Sequence, residues 1–323
     1  MKNLAYNPIK LLCFVFLIGI LTRCQKSSTP ITISTDTYHT SVDMVTDIMI
    51  HDIISPPVAS RVFAYPNVAA YEILVQKDTT YASLVHTANG LNSLPQIEAD
   101  KNINANVAAL IAHLEVSKML IFSKEKLDVL KDSLYQKWKK TNEQEFLASQ
   151  TYALKVVSHI KKWMDADFYN QTRNMPKYTV DTESVSRWQP TSPAYMDAIE
   201  PHWNKIRPFL LQSADQFKPL PHPEFSLKKD SDFYKELLEV YAISERITEK
   251  GDQSEELAIA KFWDCNPYVS VTRGHFMFAT KKITPGAHWI GIVKIATQKT
   301  NANLMQTVNA YAKTSLAIAD AFI

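Results

Sequence analysis

Apolar residues recur at helical spacing along most of this chain, and the elements they predict are almost all helices. Val42, Val45 and Met49 mark a first helix from about residue 41, and after the Ser55-Pro56-Pro57 break a second is expected from about 58 to 76. Polar residues 77–100 read as a loop with a turn at Asn89-Gly90, and the Ala-rich stretch 101–120 as a third helix. Leu127, Leu130, Leu134 and Trp138 place one buried face on a helix that Ser123 can cap. Thr141-Asn142-Glu143-Gln144 matches a capping box, opening a helix that buries Leu147, Val156, Ile160 and Trp163. Helix resumes near 231–250, breaks at Gly251 and restarts after Ser254, with Glu255 and Glu256 suited to the positive end of its dipole. Residues 264–287 show no clear period and are expected to be irregular, with two more helices over about 288–299 and from 302 to the end.

Residues 171–229 break this rhythm, holding eight of the 16 prolines. A stretch this long without regular structure is either a disordered linker or a functional loop. Trp188, Trp203, Phe209, Phe217 and Phe225 supply apolar area that disorder would leave in water. The segment therefore reads as an ordered belt wrapped over the helices, inside one all-α bundle.

Composition narrows the chemistry. The six glycines are too few and too scattered for a phosphate loop or a dinucleotide fingerprint. The net charge of +2 depends on Lys2, Lys10 and Arg23; without them 32 basic residues face 33 acidic ones. That leaves no basic stripe for nucleic acid. The nine histidines show no metal-binding spacing, and no nucleophile elbow flags a triad.

Residues 1–23 read as an export signal, with Lys2 and Lys10 ahead of an apolar run from Leu11 to Leu21 too short to span a bilayer. Leu21-Thr22-Arg23-Cys24 resembles a bacterial lipoprotein signal in which Cys24 becomes the lipidated first residue, with Arg23 standing where a small residue is usual. A plain secretory signal and an uncleaved anchor are the alternatives. Residues 24–40 would then form a Ser/Thr-rich tether and 41–323 the helical part.

Several landmarks carry a family resemblance. They are Ser55-Pro56-Pro57-Val58-Ala59-Ser60-Arg61, Ala69-Ala70-Tyr71-Glu72, Trp188-Gln189-Pro190-Thr191, Glu200-Pro201-His202-Trp203, Arg207-Pro208-Phe209, Phe262-Trp263-Asp264 and Pro285-Gly286-Ala287-His288-Trp289. In this order the chain resembles the bacterial vanadium-dependent haloperoxidases, relatives of the type 2 phosphatidic acid phosphatases. The resemblance implies an all-helical protein whose second half holds a pocket for vanadate. There a Lys and two Arg pair with the oxyanion, a Ser-Gly turn donates amides and one His binds the metal. Its partners would be hydrogen peroxide and a halide, or a phosphoester in the phosphatases.

The family's binding motifs are absent from these residues. Its Lys is followed after six residues by Arg-Pro, but the residue seven before Arg207 is Glu200. Its Ser-Gly-His has only Arg273-Gly274-His275 as a counterpart, and no Arg here has a His six positions later. The pattern also stops inside a helix at Asp320-Ala321-Phe322-Ile323, so the C-terminal catalytic helices are expected to be missing. No catalytic, cofactor or metal residue is therefore assigned, and no vanadate is expected to bind this chain alone.

His288, Trp289, His275 and Trp263 are candidates for lining the pocket entrance. The plainer expectation is that His288 and His275 fix turns and that Trp263 is core. Arg61 and Arg207 are expected to anchor loops. The chain thus reads as an exported, lipid-anchored haloperoxidase-like protein, periplasmic or attached to the outer membrane, and catalytically incomplete. An acid phosphatase and a non-catalytic helical surface lipoprotein are the alternatives. A further one is a subunit joined by copies of itself or by a complementing C-terminal chain, for which Ala310, Ile318 and Phe322 would form an open apolar face.

Overall fold

The computed structural model describes residues 29–99, 101–192, 195–264, 268–273, 276–281 and 283–323. Its helices are α1 (Thr35–Asp52), α2 (Pro56–Leu74), α3 (Ala105–Leu120), α4 (Lys124–Thr141), α5 (Glu143–Asp165), the single turn α6 (Tyr169–Thr172), α7 (Asp232–Lys250), α8 (Glu255–Trp263), α9 (Pro285–Lys299) and α10 (Leu304–Phe322). One short antiparallel hairpin, β1 (Tyr268–Arg273) and β2 (Phe276–Lys281), interrupts an otherwise all-α architecture. Among the described residues, no helix is long and apolar enough to cross a membrane.

The bundle is organised around α2. Pro56 and Pro57 open it, where missing N–H groups cost nothing. Every residue from Ala59 to Val75 is buried, as suits a helix apolar on all sides. Ala59, Ala64, Ala69 and Ala70 keep its surface thin, and α3, α5, α9 and α10 pack around it. Two of the polar groups caught inside pair with each other: Tyr38 donates to Asn67 Oδ1 at 2.8 Å, and Asn67 donates to the Phe63 carbonyl at 2.9 Å.

Several expectations change in detail. The part of the expected tether from residue 31 to 40 belongs to the bundle: the buried Ile31 donates its N–H to Glu145 at 2.7 Å, and α1 starts at Thr35 under a Ser34 cap. The cap of α5 is Asn142, which accepts from Glu145 N–H, while Thr141 closes the helix before it. Leu147 lies on the exposed side of α5. Ser123 directs its hydroxyl to Asp52 instead of capping α4. The stretch expected to be irregular contains the hairpin, whose Val269, Val271, Phe276 and Phe278 suit strands.

The belt divides in two. Trp203 and Phe209 are buried as expected, but Trp188, Phe217 and Phe225 remain exposed. From residue 212 to 264 no described residue joins the main core, and no residue of α7 or α8 is buried. The face of α10 holding Ala310 and Ile318 is not open: both pack on the core, and Gly286 of α9 lies close to Ile318 and Phe322.

Candidate functional site

A buried group of charges joins α2, the end of α5 and the belt. Arg61 and Tyr65 stand four residues apart, on one face of α2. Asp167 lies just beyond α5, and Arg207 arrives from the belt. Asp167 accepts from Arg61 Nε at 2.6 Å, from the Tyr65 hydroxyl at 2.8 Å and from Tyr169 N–H at 2.9 Å. Arg207 Nη2 donates to the Tyr65 hydroxyl at 3.2 Å and to the Trp163 carbonyl at 3.1 Å. The guanidinium of Arg61 lies 4.3 Å from the Tyr169 ring centre, and that of Arg207 lies 5.1 Å from Trp163. Burial and then the Asp167 charge push the Tyr65 hydroxyl far above its ordinary range, so it remains a donor.

The same strand of belt is clasped a second time. Asp320 of α10 accepts from the N–H groups of Phe209, Leu210 and Leu211 at 2.6, 2.7 and 3.1 Å. Asn89 donates its side chain to the carbonyls of Pro208 and Leu211 at 3.1 and 2.6 Å, and its N–H to that of Phe209 at 2.8 Å. Three successive amides form an anion cradle, and the protein's own carboxylate fills it.

Arg61 and Arg207 are therefore loop anchors, as expected, and their charge is directed at Asp167, Tyr65 and backbone carbonyls. The buried imidazoles lie elsewhere. His39 Nδ1 pairs with the Tyr311 hydroxyl at 2.8 Å, and His113 Nδ1 with the Ser41 hydroxyl at 3.3 Å. Burial pushes His113 down to about 3; burial and then Lys294 lower His39. Both are neutral near pH 7, and neither joins the arginines. Among the described residues no Lys, Arg pair and His converge, and none form a metal-binding group of His, Cys, Asp or Glu. This donor set does not fit vanadate.

The predicted pocket-lining residues cluster in part. Pro285 starts α9 beneath a Thr284 cap, which sets His288 and Trp289 on an exposed side of the first turns. The His288 ring lies 6.4 Å from Phe262, whose ring meets Trp263 at 5.2 Å. Trp263 is exposed, which corrects its expected core placement. His275 and Cys24 lie outside the described residues. Two surface cavities lie elsewhere: one of about 430 Å³ beside Glu72, Tyr81 and His86, another of about 530 Å³ beside Arg173, Lys177 and His202. Neither contains this aromatic group.

The sequence reading missed Asp167, Asp320 and Asn89. Asp320 was the most visible of them, because it follows Val308, Tyr311, Ala312, Ser315 and Leu316 along the buried face of α10. A carboxylate on such a face needs donors from another element.

No protein-family model matches this chain, and no curated protein matches it. A solved bacterial structure does, with 56% sequence identity, a TM-score of 0.86 and coverage of 92% of this chain and 69% of its own. The chain belongs to the vanadium-dependent haloperoxidase family, whose cofactor is vanadate. The matching structure is described as the crystal structure of the first bacterial vanadium-dependent iodoperoxidase.

Proposed function

We propose that this chain is the helical framework of a vanadium-dependent iodoperoxidase, and that the groups holding vanadate lie outside its 323 residues. The observation carrying this reading is the 56% identity to an iodoperoxidase across 92% of the chain. Two further points support it. The Lys/Arg-Pro, Ser-Gly-His and Arg/His patterns that the resemblance implies are missing from the sequence, and Arg61 and Arg207 are committed to Asp167 and Tyr65. When bound, vanadate would supply Lewis-acid activation of hydrogen peroxide toward iodide.

The test is triiodide formation from iodide and hydrogen peroxide with added orthovanadate. The chain alone is expected to give the rate of the protein-free control. The chain fused to the part of the iodoperoxidase beyond the 69% match is expected to turn over iodide. Vanadate-dependent turnover by the chain alone would overturn the incompleteness. A fusion that oxidises bromide but not iodide would overturn the choice of halide.

The proposal extends to location, on the strength of the signal-like residues 1–23 and Cys24. The exported chain is attached to a membrane by lipid on Cys24, and Cys24→Ser moves it from the membrane fraction to the soluble one. Unchanged fractionation of that variant would refute the anchor.

A further inference from the structure

A buried carboxylate meets a cavity at the end of α2. Glu72 lies in the last turn of that helix and is as well covered as Asp167, the two being 2 and 1% exposed. Asp167 has Arg61 beside it, and Asp320 has three amides. Glu72 accepts one N–H, from Leu84 at 2.7 Å, and one hydroxyl, from Ser83 at 2.6 Å. Among the described residues no cation pairs with it, and burial pushes its carboxyl above the ordinary range despite both donors. Each oxygen keeps an acceptor position unused. A buried charge held in this way is costly until a cation reaches it.

Glu72 and Ser83 both line the cavity of about 430 Å³, a size within the range of small-molecule sites, about 300–1,000 Å³. Val75, Val85 and Leu94 supply apolar wall, the half-buried Tyr81 supplies a ring, and no described lining residue is Lys or Arg. The wall is tied in place. Tyr71 donates its hydroxyl to the Ala82 carbonyl at 2.6 Å, while Gln76 donates to the Tyr152 hydroxyl at 2.9 Å and accepts the Ile97 N–H at 3.0 Å. The end of α2, the loop after it and α5 are thereby linked, so a ligand would find the cavity already formed.

We propose that this cavity binds a small organic cation, a primary ammonium group on an apolar body, with the head on Glu72 and the body against Val75, Val85 and Leu94. The ammonium brings the counter-ion that Glu72 lacks, and its three N–H donors suit the acceptor positions left open there. The Tyr81 ring adds a cation–π contact. A neutral molecule of the same shape leaves the charge uncompensated, and an anion is repelled by it. A single carboxylate is too few for a calcium site. The proposal does not depend on the iodoperoxidase reading.

The test uses benzylamine, benzyl alcohol and benzoate, which share a ring and differ in charge, each titrated calorimetrically into the 323-residue chain. Benzylammonium is expected to bind and to raise Tm, the alcohol to bind at least about tenfold more weakly, and benzoate not to bind. Glu72→Gln keeps the size and an acceptor oxygen, and should bring benzylammonium down to the level of the alcohol. Tyr81→Leu leaves the carboxylate in place and should weaken benzylammonium about threefold, with Tyr81→Phe restoring it. Absence of saturable binding by benzylammonium, equal binding of the alcohol, or unchanged affinity in folded Glu72→Gln would each overturn the proposal. If Glu72→Gln does not fold, Tyr81→Leu decides, and unchanged affinity there overturns it. Tighter binding of calcium chloride than of benzylammonium would also overturn it, in favour of a metal site. Iodide oxidation is not read, so the outcome is independent of the proposed activity.

Discussion

Replacing Asp167 with Asn removes one charge from the junction of α2, α5 and the belt and changes little else in shape. The side chains of Asp167 and Arg61 are 2 and 9% exposed, so water cannot replace the lost partner. Removing one member of a buried ion pair costs about 3–5 kcal/mol, because it leaves the other charge uncompensated. Asn can still accept from the Tyr65 hydroxyl or Tyr169 N–H, which places the expectation near the lower end, about 3 kcal/mol. Urea unfolding should show that loss at an unchanged slope, with Tm lower by about 5–10 °C. Arg61→Met should cost a similar amount by stranding Asp167. The double variant should be better than the sum of the two by at least about 1 kcal/mol, because neither charge is then stranded. A single-variant loss under about 1 kcal/mol, or strict additivity, would show that the pair does not hold the junction.

Asp52 accepts from Ser123 and Phe122; burial alone would raise its carboxyl, but the Ser123 hydroxyl and N–H, His51 and the Phe122 N–H outweigh it and bring it down to about 2. A depressed carboxylate stabilises the fold above its unfolded value and loses that contribution as pH falls toward the folded one. Asp52→Asn should therefore flatten the fall in stability between about pH 4 and 2, read by urea titration; an unchanged slope would refute this. His113 gives the opposite kind of window. Held near 3 by burial, it takes up its proton between about pH 6.5 and 3 mainly in the unfolded chain, so stability declines as pH drops through that range. His113→Gln should be less acid-sensitive between pH 7 and 4, and an identical decline would remove His113 from the account. Gly286→Val adds bulk where even a methyl group would stand 3.1 Å from Ile318. It should destabilise by about 1–3 kcal/mol in thermal melts, and a neutral result would mean that α9 and α10 separate easily.

Most helices were legible because they bury a stripe that local periodicity records, and α2 was found within two residues at each end, its opening prolines lying inside the helix and not before it. The hairpin was missed because its alternation is short and lies among residues with no clear period. The belt was recognised as ordered from its aromatics, but its two halves looked alike in sequence. Only Trp203 and Phe209 lie where Asp167, Asn89 and Asp320 fix the backbone. The candidate pocket residues were half visible: His288 and Trp263 do lie against Phe262, but on an open face, and Trp289 is exposed beside His288 in sequence.

Periodicity, prolines and caps settled that this chain would fold as helices, and the order of its aromatic and proline landmarks settled the family. Which helix faces meet was decided in three dimensions. Ile318 and Phe322 read as an uncovered stripe, yet Gly286 brings α9 against them and leaves Trp289, Ile292 and Ile295 outside instead. An apolar stripe states that a face is to be buried, not against what. The anchoring carboxylates show the same limit: Asp167 meets Arg61 across 106 residues and Asp320 meets Phe209 across 111. No local pattern encodes a hydrogen bond over that distance, because its donor and acceptor become neighbours only after the core has packed.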